Sequence, residues 1–115
     1  MSNYKDNLNA MKTAVHEVME YVEYDIGEIN EAHDLYSVLD YNGSLHDQID
    51  SFIGVYYHNL RKWSVDNYQY IGDALEEGIL EGVTDFHQII QGGQYMYWSG
   101  ICRNAVEEIY EEMTA

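Results

Sequence analysis

Between Lys12 and Arg61 the chain carries ten acidic residues and no base, yet apolar residues recur through the same stretch at spacings of three and four. Both facts constrain the fold. Unrelieved like charge opposes compaction, so each element must bury an apolar side strong enough to overcome it. A period of three to four residues is that of a helix, which turns about 100° per residue. From Lys62 to Arg103 the pattern repeats, with six acids and again no base between them. Proline is absent, so nothing forces a helix to break. These features predict an all-α chain of about five helices forming one small acidic domain over 1–115, elongated, and dimeric through its long C-terminal helix.

Of the 115 residues, 21 are acidic and 5 basic, a formal charge of −16. A chain of this length buries roughly two-thirds of its unfolded surface, enough for a core without staples. Its 46% hydrophobic and 14% aromatic content separates it from a disordered acidic tail. The charge argues against direct nucleic-acid binding, which needs Lys and Arg to neutralise phosphates, and against an anionic membrane surface. Cys102 is the lone cysteine, so neither an intrachain disulfide nor a multi-thiolate metal site is available. The polar start of the chain lacks the apolar region of a secretory signal, and no window has the apolar length of a membrane span. The expected location is cytoplasmic, that of a host cell if the protein is phage-encoded.

Along the chain, Leu8, Met11, Val15, Val18 and Val22 define a first helix over about 4–24, with Asp6, Glu17 and Glu20 on the opposite arc and Ser2 or Asn3 as cap. Gly27 interrupts it. A short helix with Leu35, Val38 and Leu39 inward follows, then a turn at Tyr41-Asn42-Gly43. Ser44 reads as the next N-cap, with Asp47 three residues on. Leu45, Ile49, Phe52, Tyr56, Leu60 and Trp63 form the next stripe, and 64–70 read as loop. Ile71, Ala74, Leu75, Ile79 and Leu80 predict a shorter helix ending near Gly78 or Gly82. Thr84 or Asp85 caps the last helix, whose first face is Phe86, Ile90, Gly93, Tyr97 and Ile101. Val106, Ile109 and Met113 lie nearly opposite, which predicts a kink or break near Ser99-Gly100.

No acid falls from Phe86 to Val106. Tyr95, Met96, Trp98 and Cys102 lie off the Phe86–Tyr97 face, so this helix is apolar on both sides and must be covered on both. A second subunit or the other helices could supply the cover; the four residues are the dimer-interface candidates. Gly92-Gly93 and Gly100 would permit close backbone approach.

Constellations for catalysis are missing. The residues three before His16, His33, His46, His58 and His87 are Thr13, Asn30, Gly43, Val55 and Thr84, so the Glu-x-x-His of a di-metal bundle is absent. No second histidine completes a zinc-protease helix at His16-Glu17, no calcium loop fits 66–77, and there is no P-loop. Cys102 in an apolar segment reads as an inert buried thiol. The expectation is a non-enzyme with neither metal nor cofactor.

Carboxylates that forgo partner lysines can stand in for phosphates. Acids three or four apart on a helix lie about 5–6 Å apart, close to the spacing of phosphates along one strand. A dimer's −32, twice the chain's −16, matches roughly 54 Å or about 16 base pairs of duplex at one charge per about 1.7 Å. The ladder Glu17, Glu20, Glu23, Asp25, Glu28, Glu31 and Asp34 is the principal candidate surface, extended by Asp40, Asp47, Asp50, Glu107, Glu108, Glu111 and Glu112. Twelve tyrosines, Tyr56-Tyr57 among them, add amphipathic contact area. Arg61-Lys62 is the one basic spot and reads as a salt-bridge partner for nearby acids.

The chain resembles the Ocr family of phage anti-restriction proteins, which are small, acidic, helical, dimeric DNA mimics. The resemblance is collinear through Tyr24-Asp25, Asp34-Leu35, Asn42, His46, Asp50 and Phe52, then Gly78, Asp85, Ile90-Gln91 and Glu107–Glu112, about two-thirds of the chain. The segment from Asp66 to Gly78 and the Arg61-Lys62 pair depart from it, as does the end at Met113-Thr114-Ala115, without a long acidic tail. The resemblance implies an inhibitor that occupies the DNA-binding groove of a host defence enzyme, foremost type I restriction–modification at its specificity and methyltransferase subunits. An acidic immunity protein or antitoxin covering a basic nuclease, and a mimic aimed at a CRISPR or other defence complex, are the alternatives.

Overall fold

A computed structural model describes residues 4–55 and 67–115. Among these the fold is all-α: α1 (Tyr4–Tyr21), a single 3-10 turn (Ile26–Glu28), α2 (Ala32–Gly43), α3 (Leu45–Val55), α4 (Tyr68–Glu76) and α5 (Phe86–Thr114), with no strand. The candidate cap residues Ser2 and Asn3, the stripe residues Tyr56, Leu60 and Trp63, and Tyr57, Arg61 and Lys62 lie outside the described residues. No helix among those described is long and apolar enough to cross a membrane.

Packing divides the chain into two compact units, residues 1–48 with 100–115, and residues 49–99. The first has an aliphatic core: Met11, Val15 and Val18 from α1, Leu35 and Leu39 from α2, and Ile101, Ala105, Val106 and Ile109 from α5 are buried. Each such side chain removed from water contributes about 1.5–3 kcal/mol. The expected inward stripe of α1 is therefore in place, with Leu8 half-buried, and its acidic arc of Asp6, Glu17 and Glu20 is exposed.

The joint between α2 and α3 is tighter than the expected three-residue turn. Helix α2 runs through Tyr41, Asn42 and Gly43, and Ser44 alone turns the chain, in left-handed conformation at φ 56°. Its N–H donates to the Asp40 carbonyl at 3.0 Å, closing α2, while its carbonyl accepts from Asp47 at 3.0 Å, opening α3. Gly43 is needed for space instead. A Cβ there would collide with Val18 Cγ1 and lie 2.7 Å from Val22 Cγ2, and the Tyr21 hydroxyl donates to the Gly43 carbonyl at 3.1 Å. The end of α2 thus packs directly against the last turn of α1.

The second unit is organised by aromatic rings. Phe52 stacks on Trp98 at 4.6 Å, Trp98 meets Tyr97 edge-on at 5.4 Å, and Tyr97 meets Tyr70 edge-on at 5.1 Å. Such pairs add about 0.5–1.5 kcal/mol each beyond area burial. Helix α4 starts at Tyr68, inside the stretch expected to be loop, because Tyr70 is drawn into this ring cluster. It ends as expected: Gly78 takes φ +76° and donates to the Leu75 carbonyl.

The predicted break at Ser99-Gly100 is absent, since α5 is helical from Phe86 to Thr114. Buried positions pass from Ile90, Gly93, Gln94 and Trp98 to Ile101, Cys102, Ala105, Val106 and Ile109. At 100° per residue the inward arc rotates by only about 80° between the two sets. Met113, placed on the inner arc from sequence, is exposed.

Candidate functional site

The nominated carboxylates divide by the work they do within the chain. Asp25 caps the 3-10 turn, its Oδ1 accepting from the Gly27 N–H at 2.9 Å. Asp34, the third residue of α2, accepts from the Asn30 and Glu31 N–H groups at 3.0 and 3.3 Å, satisfying donors that precede the helix. Glu31, exposed at the N-cap, is its partner in a capping box. Asp85, outside the nominated set, caps α5 as expected by accepting from Gln88 N–H at 3.1 Å. Glu112 holds the Lys12 ammonium at 2.6 Å, which with Glu108 nearby raises the Lys12 pKa.

Asp40 belongs to a partly buried group with Tyr36, His46, Cys102 and Arg103. Its Oδ1 lies 3.5 Å from His46 Nδ1. The Tyr36 hydroxyl is hydrogen-bonded to Arg103, yet its pKa is raised, chiefly by burial and then by electrostatic interaction with the neighbouring Cys102 and Asp40 groups. Burial first, and the Asp40 carboxylate second, push the Cys102 thiol up to about 12 from 9.0. That thiol stays protonated at neutral pH, which makes it a poor nucleophile.

The remaining carboxylates project outward. Glu17, Glu20, Glu23, Glu28, Asp47, Asp50, Glu107 and Glu111 are exposed, and Glu108 is half-buried. Helical spacing holds for Glu17 with Glu20 on α1 and for Glu107, Glu108, Glu111 and Glu112 on α5. It does not hold along the whole candidate ladder, because α1 stops at Tyr21 and an extended link, the 3-10 turn and a new helix follow. The break folds the ladder around a shallow concavity of about 460 Å³, rimmed by Glu23, Asp25, Glu28 and Asp34, with Tyr24, Ile29 and Val38 among its lining. Sequence periodicity, which assumes one continuous helix, gives no sign of this concavity.

Two of the three bases of this unit have partners within it, Lys12 in Glu112 and Arg103 in Tyr36, although Arg103, like Lys5, is exposed. Among the described residues no three His, Cys, Asp or Glu groups converge as metal ligands.

The dimer-interface candidates fare unevenly. Trp98 is 1% exposed and Cys102 0% within the single chain, so neither offers surface to a second subunit; Tyr95 and Met96 are half-buried. Helical spacing sets Trp98 and Cys102 apart from the first face as candidates for a partner, but other parts of the same chain cover them. Gly92 is likewise filled from within, since a Cβ there would lie 2.5 Å from Leu80 Cδ2, whereas Gly100 faces open space. Comparison with protein-family models, curated proteins and solved structures finds no match.

Proposed function

We propose that this chain is a DNA mimic that inhibits a host defence enzyme by occupying its DNA-binding groove, with type I restriction–modification the foremost target. The observation that carries the reading is the outward projection of most nominated carboxylates on a chain with few bases, one of which, Lys12, is paired to Glu112. A duplex-binding groove is lined with Lys and Arg that normally displace counterions from phosphate. Exposed carboxylates meet the same demand, and a charge of −16 steers the approach from a distance. In this mechanism the chain performs no bond chemistry and needs no cofactor; it competes with DNA and so blocks cleavage and methylation together. In a homodimer the charge would double, extending the rod that the groove meets.

The charge is unequal between the units, which favours as a second reading an immunity protein or antitoxin with one dominant acidic face for a basic nuclease. Titration of the chain into a purified type I methyltransferase holding labelled DNA separates the two. Displacement near one dimer per enzyme is expected. No displacement at large excess would sink the type I reading and turn attention to nuclease toxins. Simultaneous Glu17→Gln, Glu20→Gln, Glu23→Gln and Glu28→Gln should weaken displacement far more than any one of them, because one exposed charge contributes at most about 1 kcal/mol.

A further inference from the structure

Helix α4 carries an apolar stripe that its own unit does not bury. Its inner side is already satisfied: Ala74 is fully buried and Tyr70 packs edge-on against Tyr97 at 5.1 Å. On the opposite side Tyr68 is 73% and Leu75 62% exposed, and Gly72 lies between them, where an added Cβ would meet nothing within 4 Å. Spacings of four and three place these three residues within an arc of about 60°. Ile79, in the turn that follows, is 45% exposed as well. Isolated exposed hydrophobes are ordinary, but a contiguous stripe with a side-chain gap at its centre is a surface shaped for another helix.

The charges beside the stripe specify the partner. Glu76 borders it on one edge of α4, about 40° beyond Gly72, with Asp73 farther round the same side; Glu77 and Glu81 follow in the turn, and all four are exposed. No Lys or Arg occurs between Lys62 and Arg103. A second copy of this chain would bring the same acids to the same edge, so like-charge repulsion opposes self-association here. We propose that the Tyr68–Gly72–Leu75 stripe docks an amphipathic helix of another protein, one whose apolar ridge is bordered on one side by Lys or Arg. Gly72 lets the partner's ridge come close to the α4 backbone, while Tyr68 and Leu75 grip it on either side. The site shares no residue with the nominated acidic set, and it stands whether or not that set mimics DNA.

Two synthetic helical peptides of equal positive charge test this, one with a leucine ridge and lysines along one edge, the other with serines replacing the leucines. Amide chemical shifts of the labelled full chain are followed during titration. The leucine peptide should bind at least about tenfold more tightly, a difference of about 1.4 kcal/mol, with shifts centred on Tyr68, Gly72 and Leu75. Leu75→Ser, which alters an exposed position and leaves the helical signal intact, should abolish that preference, and Asp73→Asn with Glu76→Gln should weaken binding of the leucine peptide. Equal binding of the two peptides, or shifts confined to the acids of α1 and α2, would overturn the proposal. So would self-association of the chain alone that Leu75→Ser removes, since the occupant would then be a second copy.

Discussion

The two units meet the same electrostatic problem with different materials. Residues 1–48 with 100–115 hold 14 acids against 3 bases, a formal −11, around a core of Met, Val, Leu and Ile. Residues 49–99 hold 7 acids against 2 bases, a formal −5, and their packing runs through Phe52, Trp98, Tyr97 and Tyr70. In the first unit a close-fitting aliphatic interior carries a heavy surface charge. In the second, a few large rings hold the packing together and an apolar stripe is left outside. The first unit thus carries the heavier net charge, while both units leave apolar side chains exposed, Tyr21 and Tyr41 in the first and Tyr68 and Leu75 in the second.

The sharpest way to break this contrast is Trp98→Ala. Removing a buried ring that contacts both Phe52 and Tyr97 should lower unfolding free energy by about 3–5 kcal/mol, read from the denaturant midpoint, with loss of the near-ultraviolet aromatic signal. Leu39→Ala in the aliphatic core should cost about 2–5 kcal/mol and leave that aromatic signal in place. A small effect of Trp98→Ala would mean that the rings are incidental to the second unit.

Alkaline titration probes the first unit. The folded Cys102 thiol keeps its proton up to about 12, while an unfolded one releases it near 9.0. Between these values the folded state binds more protons, so the stability from this group is complete below pH 9 and falls as pH rises, by up to about 1.4 kcal/mol per unit. The raised pKa of Tyr36 acts in the same direction. Melting temperature should therefore drop through this range, and Cys102→Ser should flatten the drop. Thiol reagents at neutral pH should react with Cys102 only after denaturant is added; rapid labelling of the native chain would contradict its enclosure.

Gly43→Ala should cost about 1–3 kcal/mol through overpacking, because the new methyl meets Val18 and Val22. Val18→Ala, destabilising alone, should cost less in the Gly43→Ala background, which a double-mutant cycle detects. A purely additive result would remove the close approach of α1 and α2 as a source of stability. The smallest expected effect separates the acids that build the fold from those that project. Asp34→Asn should lose about 1 kcal/mol, the scale of a helix cap, whereas Glu28→Gln should leave stability unchanged or slightly higher.

Much of this architecture is legible in the order of the residues. The stripes of α1 and α2 and the Asp85 cap follow from apolar spacing and from an acceptor placed ahead of an apolar run. What periodicity misses has a common physical cause, since it reports angle around a helix and not which neighbours exist. Trp98 and Cys102 stand off the first face of α5, yet the chain's own packing encloses them. The shift of apolar positions near Gly100 looks like a break, but the helix is continuous and only its buried arc shifts around it. Gly43 has the composition of a turn and serves as a gap for two valines, while Ser44 takes the left-handed conformation. Among the carboxylates, sequence finds the acidic set but does not distinguish Asp25 and Asp34, bound to backbone N–H groups, from Glu20 and Glu28, which project.

The central claim is that exposed carboxylates substitute for phosphates in a cationic groove. Its most direct test is displacement of labelled DNA from a type I methyltransferase, repeated between about 50 and about 200 mM salt. Displacement should occur near one dimer per enzyme at low salt, with the chain's own affinity for the enzyme falling steeply as salt rises. Tight binding that leaves the DNA in place, or an affinity indifferent to salt, would contradict it.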